Sequence, residues 1–382
     1  MKGLRRVLLL ITMTWLGAAA AQSAEPAPGV YDSFILLGQS AAFSGPLAEL
    51  GKEYRRGATL YFDYLNLHGG VHGRSLLLLS KDDGYVPERA VENTKRLLEQ
   101  DKVFALFGNM GTAQVGAVMP LVAEHRVPLF APYTGAEQFR NPVNPYVFNV
   151  RAGYYQETEA LVDYAVRQGK KNIAVFYQDD GFGQAGFEGV QQALKRRNLP
   201  LAASGTFPRN TLEIDAGLNA IKAGKPDAVM LISTYAPTTE FIIRAKAAGL
   251  HADFYTMSVV GSKALVTGLW LDAEGVVVSQ TVPFPDDEDV PLVKEYRRVQ
   301  RFFDPQMTPS YLSLEGFLAA KVFAQGLEEA GAEPTREKLI ATLELFGNRD
   351  FGGVRIDWDR TKHSGADYVS VAKIGEQDRW IY

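Results

Sequence analysis

The stretch that decides the fold of this chain is residues 103–136, which read VFALFGNMGTAQVGAVMPLVAEHRVPLFAPYTGA. Two short apolar runs within it, 103–107 and 127–130, have the length of buried parallel strands. Helical spacing over 112–125 joins them, and a loop of small residues follows each run. The stretch therefore predicts one strand–helix–strand unit of a parallel sheet. In open parallel sheets ligands bind beyond the carboxyl ends of the strands, so we expect a ligand site in these two loops.

The same alternation of strand and helix extends along most of the chain. It predicts an α/β protein built from two Rossmann-like lobes, each with a parallel sheet. Ser44 is expected to cap the first helix, with Pro46 in its first turn. Further strands are predicted at 34–38, 76–80, 172–177, 201–207, 228–232, 254–256, 354–358 and 368–373. Further helices are predicted from residue 44 to 67 and at 87–100, 183–197, 211–223, 238–248, 290–303, 310–330 and 335–345.

Two extended runs, 147–151 and 276–284, lie where the strand–helix rhythm restarts, and we interpret them as crossovers between the lobes. The N-terminal lobe is then expected to comprise residues 33–150 plus 281–346. The C-terminal lobe is expected to comprise 151–280 plus 347–382. Lobes that exchange the chain in this way share a hinge of several segments and can close around a ligand.

Residues 1–24 have the pattern of a cleaved secretory signal peptide. Lys2, Arg5 and Arg6 precede an apolar run over 7–21, and small residues at 21–24 offer a cleavage point. The apolar run is shorter than the roughly 20 residues of a membrane-spanning helix. Without cysteine, the chain can be neither a lipoprotein nor a disulfide protein. We therefore expect a periplasmic protein with no direct insertion into the membrane.

Charge and motif content argue against several classes of function. The formal charge of −4, with no basic run, disfavours nucleic-acid binding. The five histidines have no partner pattern of a catalytic triad, so we expect neither an enzyme nor a cofactor. His68 and His72 are separated by two glycines that break any helix, so a solvated turn is expected there and no metal site. The G-x-G-x-x-G run at 181–186 fits either a dinucleotide loop or a loop that presents Phe182 to a cleft. No acidic residue follows the next strand, which favours the second interpretation.

Several marks occur in a fixed order along the chain: Ser44-Gly45-Pro46, the run NLHGGVHGR at 66–74, Asp82-Asp83, the loop after Phe107, and RAKAAG at 244–249. In this order the chain resembles the bacterial extracellular solute-binding proteins of the branched-chain amino-acid (Leu/Ile/Val) type, which serve ABC importers. The resemblance covers residues 33 to 375. It implies the type I periplasmic binding protein fold, permease subunits of the inner membrane as partners, and a monomer.

The resemblance also places a ligand site. It implies that the first loop of the opening stretch holds the ligand carboxylate, that the next loop adds carbonyl, N–H and hydroxyl groups, and that aromatic residues of the second lobe close over the ligand. Tyr155 is added because it follows a crossover, whereas its neighbour Tyr154 is equally compatible with packing. The expected ligand-binding residues are Gly111, Thr112, Tyr133, Thr134, Gly135, Tyr155, Phe182 and Tyr235.

Three positions depart from the pattern of amino-acid-binding relatives. Residues 257–261 offer no carboxylate for a ligand ammonium, Gln156 stands where an Asp is common, with Glu157 beside it, and Leu50 replaces an aromatic wall residue. A buried ammonium without a carboxylate is costly. We therefore expect a small carboxylate-bearing ligand, an amino acid or a related organic or aromatic acid, with acids that lack a free amine favoured. The alternative is a ligand-sensing subunit that feeds a membrane signalling protein.

Overall fold

A computed structural model describes residues 27–375 and 380–381, so the predicted signal peptide at 1–24 lies outside the described residues. Within those two ranges, no helix combines the length and the apolar character that crossing a bilayer requires. Two sheets of mainly parallel strands alternate with helices along the chain, which confirms the predicted α/β fold class.

The first sheet is entirely parallel, with the strand order β2-β1-β3-β4-β5. Its central strands are fully buried, as their continuous apolar sequence requires. The strands are β1 (Phe34–Ala41), β2 (Ser75–Asp82), β3 (Ala105–Phe107), β4 (Leu129–Phe130) and β5 (Val147–Phe148). The helices between them are α1 (Ala48–Leu67), α2 (Pro87–Glu99) and α3 (Thr112–Glu124).

The second sheet has the order β14-β13-β10-β9-β8-β6-β7, in which β13 runs antiparallel to both of its neighbours, β10 and β14. Its strands are β6 (Ile173–Asp179), β7 (Ser204–Pro208), β8 (Ala228–Ile232), β9 (Asp253–Thr256), β10 (Val277–Gln280), β13 (Ser370–Ile374) and β14 (Trp380–Ile381). Its helices are α4 (Tyr154–Arg167), α5 (Gly181–Arg196), α6 (Asp215–Ala223), α7 (Tyr235–Ala247) and α8 (Ser262–Leu269).

After β10 the chain returns to the first lobe, where it forms α9 (Pro291–Phe303), α10 (Tyr311–Ala330) and α11 (Arg336–Leu343). Helix α10 packs against α1 at backbone distance. A Cβ on Gly57 would lie 1.8 Å from the carbonyl oxygen of Ser313, and one on Gly316 would lie 2.1 Å from that of Tyr54. Glycine at these two positions lets the helices touch, which brings Phe323 of α10 into the core of the first sheet.

The hairpin of β11 (Gly347–Asp350) and β12 (Arg355–Trp358) corrects one predicted lobe boundary. We expected residues 347–382 in the C-terminal lobe. The Trp358 ring instead packs edge-on against Phe130 and Phe148 of the first sheet, at centroid distances of 5.7 and 5.4 Å. Its indole N–H donates to the carbonyl of Asn149. The chain therefore crosses to the second sheet between β12 and β13, after the large aromatic ring has been buried in the first lobe.

Two local features also differ from the sequence analysis. The sequence analysis predicted no helix between the first crossover and β6, whereas the structure has α4 there. Ser44 does not cap the first helix: its hydroxyl donates to Asp82 Oδ2 at 2.5 Å instead. A short 3-10 turn over Gly45–Leu47 precedes α1, with Pro46 in its first turn as expected.

Candidate ligand-binding cleft

The loops that follow β3 and β4 lie side by side at the carboxyl end of the first sheet. Backbone hydrogen bonds join them: Gly111 N donates to Tyr133 O at 3.2 Å, and Tyr133 N donates to Asn109 O at 2.8 Å. Gly111 has a φ of 96°, which a residue with a side chain rarely adopts, and helix α3 begins immediately after it. The turn thus directs the start of α3 and the second loop to the same edge.

Thr112 and Thr134 form the polar centre of this edge. Their hydroxyl oxygens are 2.7 Å apart, and the two residues are 1% and 0% exposed. Thr134 Oγ1 also accepts from the backbone N–H of Ala136 at 3.2 Å, and the Tyr154 hydroxyl of the second lobe lies 3.4 Å away. One of these hydroxyls donates to the other at this distance, so the pair has one proton left to turn toward an acceptor placed between the lobes.

The second lobe faces these loops with two aromatic rings. Tyr154, the first residue of α4, and Phe182, in the first turn of α5, pack edge-to-face with centroids 5.5 Å apart. Both side chains are buried. Together with Thr112 they enclose a cavity of about 20 Å³, called the inner cavity below. It is lined by Leu47, Tyr85, Met110, Gly111, Thr112, Tyr133, Tyr154, Phe182, Thr234 and Val259.

The G-x-G-x-x-G run does not form a dinucleotide loop. The Asp180 carboxylate caps α5 by accepting from the N–H groups of Phe182 and Gly183, so the helix start already holds an anion. A Cβ on Gly183 would meet the Gln178 carbonyl at 1.8 Å. The glycine therefore permits close packing between helix and strand, and the loop presents Phe182 to the inner cavity.

Of the predicted site residues, four line the inner cavity: Gly111, Thr112, Tyr133 and Phe182. Thr134 lies next to it through its bond to Thr112. Gly135 is one step further out and supports Tyr154, whose backbone N–H donates to the Gly135 carbonyl at 2.7 Å. A Cβ there would lie 2.4 Å from the Tyr154 ring.

Two predicted aromatic residues lie elsewhere. The Tyr155 hydroxyl donates to Glu188 on α5 at 3.1 Å, so its side chain points toward α5, and it does not line the inner cavity. Helix geometry turns neighbouring side chains about 100° apart, so only one of the two tyrosines can face the cleft. Tyr235 lines a second, larger cavity that flanks the first.

This flanking cavity has a volume of about 530 Å³ and lies between α1 of the first lobe and α7 and α8 of the second. A further space of about 600 Å³, called the outer groove below, continues from it and shares Leu312 and Lys263 as lining residues. The flanking cavity is lined by Glu49, Leu50, Glu53, Tyr235, Ala236, Thr239, Gly261, Lys263, Ala264, Thr267, Gly268 and Leu312.

Sequence reasoning missed Gln114 and Tyr85. Gln114 of α3 is 1% exposed, and neither of its amide atoms has a hydrogen-bond partner among the described residues. Its oxygen lies 2.2 Å from where a Cβ on Gly111 would stand, so it is directly behind the first loop. A buried, unpartnered amide beside a cavity is a candidate ligand contact. The sequence signal that could have identified Gln114 is its position as a single amide among the apolar residues of α3.

A buried ionic cluster lies beneath the cleft, where the chain first crosses between the lobes. Arg151 Nη2 donates to Glu157 Oε1 of α4 at 3.1 Å, and its Nε lies 3.7 Å from Glu315 Oε1 of α10. The guanidinium carbon also stands 4.7 Å from the centre of the Tyr133 ring. Burial raises the pKa of Glu315, and the charge of Arg151 opposes that rise.

Glu157 is fully engaged inside this cluster. Its second oxygen accepts from Ser258 N at 2.9 Å and from Ser279 Oγ at 2.7 Å. The Glu157 carboxylate is therefore committed to Arg151, to Ser279 and to the backbone of the 257–261 loop. In the described ranges, no three acidic or histidine side chains converge as metal ligands would.

Comparisons with known proteins agree with this architecture. A family model described as periplasmic binding protein matches residues 35–379. The chain is similar to the crystal structure of a possible leucine/isoleucine/valine-binding protein from Rhodopirellula baltica, with 32% identity and a TM-score of 0.88, over 94% of this chain and 98% of that one. It is also similar to a substrate-binding periplasmic protein from Ralstonia solanacearum, with 32% identity and a TM-score of 0.84, over 91% and 99%.

Curated sequences show a more distant likeness. The Leu/Ile/Val-binding protein homolog 7 of Brucella abortus (strain 2308) is 25% identical over 241 residues. That match includes 61% of this chain and spans only 60% of the relative's length.

Proposed function

Because this chain belongs to the periplasmic binding proteins, we propose that it is the solute-binding receptor of an ABC transporter and works in the periplasm. Its ligand is a small molecule with a carboxylate, an amino acid or a related organic or aromatic acid. The ligand binds in the cleft between the lobes, and the lobes close on it. The monomeric receptor then presents the ligand to permease subunits of the inner membrane, without chemical conversion.

The observation that carries this proposal is the pair of buried hydroxyls of Thr112 and Thr134, 2.7 Å apart at the ends of two adjacent strands. One hydroxyl of the pair can donate to a carboxylate while the other orients it, and the N–H groups at the start of α3 add the partial positive charge of a helix N-terminus. Tyr154 and Phe182 cover the site from the other lobe and exclude water. A low local dielectric strengthens each of these polar contacts.

The hydrogen bonds that Glu157 already accepts support a preference for acids without a free amine. An α-ammonium group requires a carboxylate partner when it is buried. Glu157 is occupied by Arg151, Ser258 and Ser279, and the 257–261 loop contributes no acidic side chain. Binding an ammonium here would require the ligand to compete with Arg151 for its partner.

Closure supplies the selectivity of such a receptor. A ligand shifts the balance between open and closed lobes only through contacts that it makes better in the closed form. The loops around Thr112 belong to one lobe and Phe182 to the other, and a Cβ on Gly181 would lie 3.7 Å from Thr112 Cγ2. A ligand held between them touches both lobes only when they are together.

The test is a thermal-shift screen of amino acids, aromatic acids, aliphatic acids and their amides, followed by calorimetry on the hits. In the variant that combines Thr112→Val with Thr134→Val, the affinity for the best acid should fall more than tenfold, since buried polar partners are left unpaired. Thr94→Val is the matched control, because Thr94 is fully buried in α2 and its hydroxyl has no partner in the described structure. Equal affinities in wild type and double variant would refute the proposed site.

A further inference from the structure

The inner cavity is too small to hold a whole ligand. Its volume of about 20 Å³ gives room for about one or two water-sized groups, at roughly 10–15 Å³ for each. A carboxylate head can lie against Thr112 there, but the rest of the molecule needs space elsewhere. Pockets that bury small molecules commonly have about 300–1,000 Å³.

The flanking cavity supplies that space and begins where the inner cavity ends. Three chain segments line both: Leu47 and Leu50 at the start of α1, Thr234 and Tyr235 at the start of α7, and the 259–261 loop. In each segment the first position borders the inner cavity and the later one the flanking cavity. The two spaces are therefore neighbours along one edge of the cleft.

Leu50 and Gly261, which both line the flanking cavity, make a close contact between the lobes. Leu50 Cδ1 lies 3.1 Å from the position that a Cβ on Gly261 would take, so Leu50 of the first lobe touches bare backbone of the second. Because the two residues belong to different lobes, opening of the cleft parts them. A leucine side chain can also change rotamer around a bound molecule.

The chemistry of the flanking cavity suits an apolar body. Leu50 and Leu312 form its buried floor, and the small side chains of Ala236 and Ala264 leave the volume open. The charged groups stand at the rim: Glu49 is exposed and pairs with Lys52, and Lys263 Nζ lies 3.3 Å from Glu53 Oε1. Beyond that pair the outer groove continues the same path for about 600 Å³.

We propose that the ligand is an elongated amphipathic acid, whose carboxylate lies at Thr112 and Thr134 and whose aliphatic or aryl-aliphatic chain extends past Leu50 and Gly261 into the flanking cavity. This inference rests on the proposed function and narrows its substrate class. Free α-amino acids of ordinary size would leave the flanking cavity without a function.

Calorimetry with a straight-chain series from acetate and butyrate to octanoate and dodecanoate tests the proposal on the full mature chain. Each methylene that enters the flanking cavity should raise affinity about fourfold, from the transfer free energy of one CH₂, until the chain reaches the rim. Ala264→Phe should fill the cavity, so that octanoate and dodecanoate bind no better than butyrate, while butyrate is unchanged.

Ala247→Phe is the matched control, because Ala247 is exposed on α7 and lines no cavity of the cleft. If Ala264→Phe lowers the melting temperature of the free protein, Thr267→Leu at the boundary with the outer groove replaces it as the blocking variant. Loss of the chain-length dependence in a blocking variant alone supports the proposal.

The other outcomes separate the two levels of inference. Acids that bind through Thr112 and Thr134 with no gain along the series would overturn the elongated ligand and leave the receptor function standing. The same holds if long acids bind tightly and neither blocking variant weakens them. If no acid of any length binds, the carboxylate receptor fails and the elongated ligand fails with it.

Discussion

The guanidinium carbon of Arg209, in the second lobe, lies 4.2 Å from the centre of the Tyr85 ring in the first. The same guanidinium donates through Nη2 to the Tyr85 carbonyl at 2.5 Å. Gln178 adds a second contact from the second lobe, since its amide donates to the Tyr85 hydroxyl at 3.4 Å. Tyr85 also lines the inner cavity. One residue beside the inner cavity thus carries direct contacts between the lobes.

Arg209→Ala should favour the open form and weaken ligand binding. A partly buried cation–π contact contributes about 0.5–2 kcal/mol, which corresponds to an affinity loss of about two- to thirtyfold. The loss should appear mainly as faster dissociation in stopped-flow displacement, with a larger radius of gyration by small-angle scattering. Arg196→Ala is the control, because Arg196 is exposed and pairs with Glu159 within its own lobe. Equal dissociation rates for both variants would show that the Tyr85 contact does not hold the lobes together.

Asp83 should make the folded protein more stable in mild acid than at neutral pH. Burial raises its pKa to about 6, although Ser40 Oγ and the Tyr85 N–H donate to it. Because the folded pKa lies above the unfolded value of 3.8, the native state binds more protons between these values. The free energy of unfolding should therefore fall by up to about 3 kcal/mol as pH rises from about 4 to about 6, and then level off. Urea denaturation of wild type and Asp83→Asn should show this fall only in wild type.

The neighbouring residue, Asp82, provides a control, because its effect on stability should change with pH in the opposite direction. Burial alone would raise the pKa of Asp82. Hydrogen bonds from the Ser44 hydroxyl and from the Phe43, Ser44 and Gly84 N–H groups outweigh this effect and lower the pKa to about 2. The ionised Asp82 carboxylate stabilises the folded protein at pH values above its unfolded pKa of 3.8, and this contribution is lost as the pH falls from about 4 to about 2. Asp82→Asn should thus lower stability at neutral pH, where Asp83→Asn should not. Identical pH profiles for the two variants would contradict both assignments.

Tyr235 and Tyr155 give a direct test of which aromatic ring touches the ligand. Tyr235→Ala should weaken binding of long-chain acids several-fold with little change in the melting temperature of the free protein, because the ring is only partly buried at a cavity wall. Tyr155→Ala should leave affinity unchanged, since its hydroxyl is bonded to Glu188 of α5 and its side chain lines neither cavity. Calorimetry on both variants decides; a loss confined to Tyr155→Ala would reverse the assignment.

Arg151→Met should destabilise the protein by about 3–5 kcal/mol, because it leaves Glu157 and Glu315 buried without their cation. Glu315→Gln should have a smaller effect, since the closer pair between Arg151 and Glu157 is kept. Urea unfolding at neutral pH measures both. An Arg151→Met variant within 1 kcal/mol of wild type, roughly the scale of one ordinary hydrogen bond, would mean that the cluster is not a structural centre.

The sequence was most informative where the chain is buried on both sides. Continuous apolar runs such as 103–107 are typical of interior strands, and Gly108 directly after that run marks the turn at its end. The position of Thr112 and Thr134 at adjacent strand ends then follows from the connectivity of a parallel sheet. The resemblance to solute-binding proteins then singled out Gly111, Thr112 and Phe182 within the loops at these strand ends.

Contacts that depend on helix phase or on the closing of the lobes could not be predicted. Tyr154 rather than Tyr155 faces the cleft because α4 begins where it does, and no strong cap signal marks that start. The contact of Arg209 with Tyr85 joins residues 124 apart in the chain, and Tyr85 adopts a left-handed φ of 64° that its sequence does not suggest. The local sequence predicts Ser44 as a helix cap. The acceptor that its hydroxyl finds instead, Asp82, lies on another strand and cannot be recognised from the local sequence.

The late return of the chain to the second sheet has a consequence for the order of folding. Strand β13 (Ser370–Ile374) joins β10 only after α9 to α11 and the Trp358 hairpin have been added to the first lobe. A chain that emerges N-terminus first can thus finish neither lobe until nearly its whole length is available. Non-local pairing of this kind is slow to form. Both lobes are therefore expected to reach their final fold only after the last strands of the chain have been synthesised.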